Sequence, residues 1–250
     1  MDWHAIEAGT HRPVTAVEIL GRRIVSGDLT PGTTLPNLDQ LAEQFSISRL
    51  SMREAIKLLA GKGLVSSTPR RGTVVRPRAE WRRLDPDVMV WQIGEIPNAA
   101  FVRNLFEFRR MVEPEAAALA AERASSEALA EIEQAFAQMA AAEAKVESIK
   151  ADFAFHQRIL KGTGNEFIAA LAPAIETSLL LTFSMQRELW PDPNNFIPAH
   201  GAVMDAIKRG DPGAARAAML ALLARAEIDA IEAIRQLGSE ADEAARKGAA

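Results

Sequence analysis

A single hairpin in the first third of the chain, with no convincing strand from Asn98 onward, restricts the folds open to these 250 residues. The hairpin is LVSS and TVVR around PRRG, and three helical patterns precede it. Val14, Val17, Ile19, Leu20, Ile24 and Val25 recur at helical spacing and stop at Gly27 and the turn-rich DLTPGTTLP. A short second helix holds Leu38, Leu41, Ala42 and Phe45. Ser46-Ile47 then makes a tight turn, and Ser48 is placed to cap a third helix with Ile56 and Leu59 inward. That helix ends at Gly61-Lys62-Gly63. Three helices followed by a hairpin predict a winged helix-turn-helix.

Charge gives this unit a partner. The stretch from Ser48 to Arg78 carries Arg49, Arg53, Lys57, Lys62, Arg70, Arg71, Arg76 and Arg78, opposed only by Glu54. Up to Arg83 the chain has 13 basic and 8 acidic residues, and beyond it 16 basic and 25 acidic, within a total net charge of -4. Charge alone does not separate a surface that meets a polyanion from a solvated basic face. The winged fold does, because a helix fits the major groove with its N-terminal side chains against base edges. Arg49, Ser51 and Arg53 are the candidates for reading bases or gripping phosphates. Arg70, Arg71 and Gly72 form a glycine-tipped wing that can approach the backbone or the minor groove of double-stranded DNA.

The absence of cysteine excludes disulfides, thiolate metal sites and cysteine nucleophiles. MDWHAIEAG lacks the pattern of a signal peptide, and no apolar run approaches the roughly 18 residues of a membrane span, so the expectation is a cytoplasmic protein with no membrane partner. WRRLDPDVMVWQIG reads as a linker with a short helix, its two tryptophans expected to pack between domains. From Asn98 the chain is alanine-rich amphipathic helix after helix, an all-α bundle, with Pro173 expected to interrupt a helix and Pro198 to start one. The predicted organisation is a DNA-binding domain over 1–78, a linker over 79–97 and an all-helical domain over 98–250.

The chain has four histidines, and His4 and His11 lie in a frayed N-terminal segment. Asp152 and His156 are four apart on one helical face, so an oxygen and a nitrogen can converge on one ion, and His200 can join from a later helix. Taken alone, such a pair is more often a hydrogen bond than a metal site.

LPNLDQLAEQF, SRLSMREAIKLLAGKGLV and RRGTVV closely resemble the DNA-binding domain of GntR-type bacterial transcription regulators over about residues 14 to 76. FEFRRMVEPEAAALAA, ADFAFHQRIL and AHGAVMDAIKRGDPGAARAAM resemble, in that order, the FCD effector domain of the FadR subgroup over about residues 98 to 235. The WRRLDPDVMVWQIG segment looks like the linker of the members that control sugar-acid catabolism, the galactonate-responsive type among them.

The resemblance implies a homodimer on a pseudo-palindromic operator, repressing until a small organic acid binds. It also implies a divalent metal, Zn2+ or Ni2+, held by Asp152, His156 and His200, with Leu222 standing where a fourth histidine is usual. The lost ligand weakens the site, and a metal-free polar pocket is the alternative. Arg109 falls where the family keeps an arginine that faces the pocket, and its fork suits a carboxylate such as an aldonate. The competing reading pairs Arg109, or Arg110, with Glu113 on the helix surface. Asp39 stands where the family has a DNA-contacting arginine, so operator preference or phosphate contact is expected to differ on that side. An Asp-His-His cluster could in principle activate water, but no nucleophile motif, phosphate loop or HExxH helix accompanies it, and the expectation is a sensor and not an enzyme.

Overall fold

The computed structural model describes residues 13–68, 71–92, 99–185 and 193–248, in two compact units, Met1–Gly94 and Glu95–Ala250. In the first, α1 (Pro13–Ser26) begins on a proline, whose missing N–H is of no consequence in a first helical turn. Ala16, Val17, Leu20 and Ile24 form its buried stripe, packed with Met52, Ala55, Ile56 and Leu59 of α3 (Arg49–Gly61). Each fully buried aliphatic side chain of this kind contributes roughly 1.5–3 kcal/mol.

Between them lies α2 (Leu38–Gln44), started by a capping box. Asn37 Oδ1 accepts from the Gln40 backbone at 3.0 Å, and Gln40 Oε1 accepts from the Asn37 backbone at 3.1 Å. Ser46 turns the chain in the left-handed region at φ 49°, and Ser48 caps α3 by accepting from the Ser51 N–H at 3.0 Å. This is the helix-turn-helix that the sequence predicts.

Strands β1 (Val65–Thr68) and β2 (Gly72–Val75) pair antiparallel, with Val65 opposite Val75. The Leu35 N–H donates to the Thr73 carbonyl at 2.8 Å and the Val75 N–H to the Thr33 carbonyl at 3.0 Å, so the loop before α2 covers the other edge of β2. The turn from α3 into β1 depends on Gly63: its φ is 77°, and a Cβ there would lie 2.4 Å from the Glu80 carbonyl oxygen.

The described part of the predicted linker, 79–92, packs onto this unit. Trp81 is buried and donates its indole N–H to the Arg76 carbonyl at 3.0 Å. Helix α4 (Pro86–Trp91), capped by Asp85, lays Trp91 against Gly21 so closely that a Cβ on Gly21 would be 2.3 Å from the ring. Lys62 ties the helix start to α3 through Asp85 at 2.8 Å and Asp87 at 2.6 Å. Burial alone would lower the Lys62 pKa, but the two carboxylates outweigh it and raise it. The expectation that both tryptophans pack between domains is therefore corrected: they complete the N-terminal core, and that unit continues to Gly94.

Among its described residues the second unit is built of helices joined by short turns. Its helices are α5 (Ala99–Arg123), α6 (Ser126–Ala141), α7 (Lys145–Gly162), α8 (Glu166–Ala169), α9 (Ala172–Met185), α10 (Pro193–Lys208) and α11 (Pro212–Gly248). Helix α5 packs along α11, and α6 along α7. Ala116, Ala117 and Ala120 let α5 approach the core formed by Ile132, Met139, Phe155, Ile159, Val203, Met219 and Leu223.

Pro173 does not interrupt a helix but lies in the first turn of α9, just after the break that follows α8, and Pro198 lies inside α10, which starts at Pro193. A proline this near the N-terminus removes only one early hydrogen bond. Glu166–Ser184 is long and apolar enough to cross a membrane, with mean hydropathy 1.6, contrary to the reading of the sequence. Half of it is buried in this unit, and Ile175, Leu179 and Phe183 belong to its core.

Candidate metal centre and nucleic-acid interface

Helix α7 places Asp152 and His156 one turn apart on its inner face, and α10 brings His200 to them. All three are 1–2% exposed, and one ligand atom from each lies within 4.8 Å of the other two. Phe155 closes the site edge-on, 5.8 Å from the His156 ring and 5.5 Å from the His200 ring.

Hydrogen bonding places the proton of the His200 ring. His200 Nδ1 lies 2.9 Å from the Phe196 carbonyl, which can only accept, so in the neutral ring Nε2 presents its lone pair to the site. That Nε2 is 2.9 Å from Asp152 Oδ1, and His156 Nε2 is 3.7 Å from the same oxygen. The approaches have the distance of an ion pair but not the direction of hydrogen bonds: Asp152 Oδ2, His156 Nε2 and His200 Nε2 are buried with no hydrogen-bond partner. Electron-rich atoms gathered in a dry interior are costly unless a proton or a cation lies among them. One carboxylate and two imidazoles fit a borderline divalent ion such as Zn2+, which open sites hold with three protein ligands.

Behind this cluster stands Glu113 of α5, a residue the sequence reading treats only as a partner for Arg109 or Arg110. Its carboxylate accepts from Arg109 Nε at 2.6 Å and Nη2 at 3.4 Å, and Glu113 Oε2 makes a close ion-pair contact with His156 Nδ1. The latter contact departs from the angle of a hydrogen bond, but a carboxylate beside Nδ1 favours the tautomer with its proton on that nitrogen. Burial would push the Glu113 carboxyl up, but Arg109 and His156 overcome this and hold it down at about 2.

Arg109 is 1% exposed, and its guanidinium lies 5.2 Å from the Phe106 ring centre. It therefore pairs with Glu113 in the interior and not on the helix surface; Arg110 pairs with Glu227 instead. Leu222, on α11, is buried in the apolar core and offers no ligand atom. The signal for Glu113 was its four-residue spacing from Arg109; its reach to His156 depends on how α5 and α7 pack.

In the first unit, Arg49 and Arg53 lie one turn apart on exposed positions of α3. Ser51 is partly buried, with its Oγ 2.8 Å from Ser48 Oγ, so its hydroxyl is engaged at the helix cap. Arg71 is exposed beside Gly72, whose φ of 77° turns the wing tip, while Arg70 lies outside the described residues. Asp39 pairs with Arg49, Oδ1 to Nε at 3.1 Å.

The profile described as "Bacterial regulatory proteins, gntR family" matches residues 14–75, and the profile described as "FCD domain" matches residues 104–225. The Galactonate operon transcriptional repressor of Escherichia coli K12 is 35% identical over 209 residues, covering 82% of this chain and 90% of the relative. The transcriptional regulator LutR of Bacillus subtilis 168 is 32% identical over 216 residues, 82% and 94% of the two chains. The solved structure of Lar of Listeria monocytogenes shares the fold, with TM-score 0.64 and 18% identity over 90% of this chain and 98% of that one. A winged unit matched along its length, and a helical unit matched across the helices that carry Arg109, Asp152, His156 and His200, give one assignment: this chain belongs to the gntR family of bacterial regulatory proteins and carries an FCD domain.

Proposed function

We propose that the protein is a ligand-responsive transcriptional repressor, released from its operator by a small organic acid of the sugar-acid class. The observation that carries this reading is the buried Arg109–Glu113–His156 chain ending at Asp152 and His200, a charged and partly unsatisfied cluster inside an otherwise apolar helical unit. Such a cluster is expensive to keep unless a ligand uses it.

Asp152, His156 and His200 would hold a divalent metal, which would supply a Lewis-acidic point for a carboxylate and an adjacent hydroxyl, and Leu222 leaves the protein shell one ligand short. Glu113 takes two of the five N–H donors of Arg109, and an effector carboxylate would engage the rest of the fork. The relation to a galactonate operon repressor supports a polyhydroxylated acid over a fatty acyl chain. The chain acts as a homodimer of cytoplasmic regulators that catalyse nothing, each protomer presenting the α3 helix to one half-site with Arg49, Ser51 and Arg53, and the wing with Arg70, Arg71 and Gly72. By linkage, an effector that weakens operator binding by some factor is itself bound more weakly on the operator by that factor.

The test is thermal-shift screening of aldonates, hydroxy acids, dicarboxylates and fatty acids, followed by operator release with the hits. Concentration-dependent stabilisation by an aldonate that also releases DNA is the expected result. Stabilisation by a fatty acid alone would overturn the effector class.

A further inference from the structure

The first turns of α2 and α3 meet at one ion pair, Asp39 Oδ1 to Arg49 Nε at 3.1 Å. The structural task open to Asp39 is a modest one, an acidic side chain at the positive end of the α2 dipole that solvent largely screens. Asn37 already caps α2, Gln40 completes the capping box, and the Asp39 and Arg49 side chains are 67% and 62% exposed. An ion pair this open adds little to folding. In a helix-turn-helix this carboxylate stands beside the helix that enters the major groove, where it repels phosphates. Its more specific effect is the one on Arg49, whose Nε it meets at 3.1 Å. A carboxylate on the Nε side leaves the distal Nη1–Nη2 edge of the guanidinium open, and that edge can donate to guanine O6 and N7 together.

We propose that Asp39 is a specificity-determining positioning residue: it holds Arg49 for one guanine in each operator half-site and penalises the phosphate contacts that Arg49 would otherwise make. This rests on the reading of Arg49 as an operator contact. Asp39 lowers affinity for DNA in general and raises the ratio between the correct site and any other. Once DNA excludes water from the pair, its electrostatic hold on Arg49 strengthens.

The test begins by selecting preferred sites from a random duplex pool with the full-length wild-type protein. Binding of wild type, Asp39→Ala, Asp39→Asn, Arg49→Ala and the Asp39→Ala/Arg49→Ala double variant is then measured at fixed salt. The probes are the selected site, the same site with each G·C pair replaced in turn, and an unrelated duplex. Asp39→Ala should bind the unrelated duplex several-fold more tightly, melt at an unchanged temperature and lose roughly tenfold in discrimination at one guanine, the size of one bidentate base contact. Asp39→Asn, which keeps the size of the side chain but not its charge, should fall between. In the Arg49→Ala background the same Asp39 change should cost no further discrimination. Equal tightening on all duplexes with base preference intact would overturn the proposal, leaving Asp39 as a repelling charge. Loss of discrimination that persists without Arg49 would also overturn it, because Asp39 would then read a base itself. A wild-type protein that enriches no sequence would overturn the operator-contact reading beneath it, an outcome visible before any variant is compared.

Discussion

Glu113 Oε2 meets His156 Nδ1 in the dry space between α5 and α7, and the same carboxylate takes both a 2.6 Å and a 3.4 Å bond from Arg109. One side chain thus joins the candidate effector-binding arginine to the candidate metal-binding histidine. A carboxylate behind Nδ1 favours the tautomer and ring orientation that turn Nε2 toward a metal. Glu113 therefore orients His156 and neutralises Arg109 at the same time.

Replacing Glu113 with Gln keeps the shape and removes the charge, which leaves the Arg109 cation buried without its partner. The expected loss is about 3–5 kcal/mol in urea denaturation at neutral pH, the range for orphaning one member of a buried pair. Wild-type stability within 1 kcal/mol would show that Arg109 finds another partner.

The same carboxylate sets an acid limit on metal-free protein. Its folded pKa of about 2 lies below the usual 4.5, so the stabilisation is present above the unfolded value and is lost as pH falls from about 4.5 through about 2. The shift corresponds to a contribution on the order of 3 kcal/mol at pH 7. Denaturation of chelator-treated protein between pH 7 and pH 2.5 should show this loss in wild type and a flatter profile in Glu113→Gln. Parallel profiles would remove Glu113 as the source.

The metal assignment predicts that purified protein incubated with Zn2+ and desalted retains about one ion per chain, and that His156→Ala and His200→Ala retain none. Leu222→His should slow loss of the ion to a chelator by restoring a fourth ligand. Elemental analysis that finds no retained metal in wild type would leave the cluster as a polar pocket.

The helix-turn-helix was legible because its signals are local: Ser48 precedes its helix directly, and Gly63 sits in the turn it makes possible. The pairing of Asp152 with His156 was legible for the same reason, being one turn of one helix. What depended on packing was not. Trp81 and Trp91 read as apolar residues in a polar segment, and nothing in their spacing revealed that Gly21, some seventy residues earlier, leaves room for an indole. Arg109 and Glu113 were recognisable as a four-residue pair, but not as a buried one, because only the approach of α7 and α11 to α5 removes that face from water. The Asp39–Arg49 contact likewise joins two helices whose angle no local pattern records.

Base reading by α3 predicts that Arg49→Ala and Arg53→Ala each lose about 1–3 kcal/mol on the selected operator at fixed salt while keeping their melting temperature. A residue that grips only phosphate would instead weaken all duplexes equally and flatten the salt dependence. Unchanged operator affinity in both variants would remove them from the interface.

Arg109 is the most demanding position, because its alanine variant confounds two effects: loss of the effector fork and exposure of Glu113 as an unpaired buried anion. Arg109→Lys separates them. Lysine keeps a cation beside Glu113 and so preserves most of the fold, but it is a point charge without the planar fork that holds a carboxylate bidentately. If Arg109 binds the effector, Arg109→Lys should melt within a few degrees of wild type, bind operator normally and need at least tenfold more sugar acid for release. If Arg109 serves only to anchor Glu113 and through it His156, the lysine variant should respond to the effector as wild type does, and its retained metal should change instead. Titration of operator release, read alongside metal content in the same preparation, distinguishes the two roles.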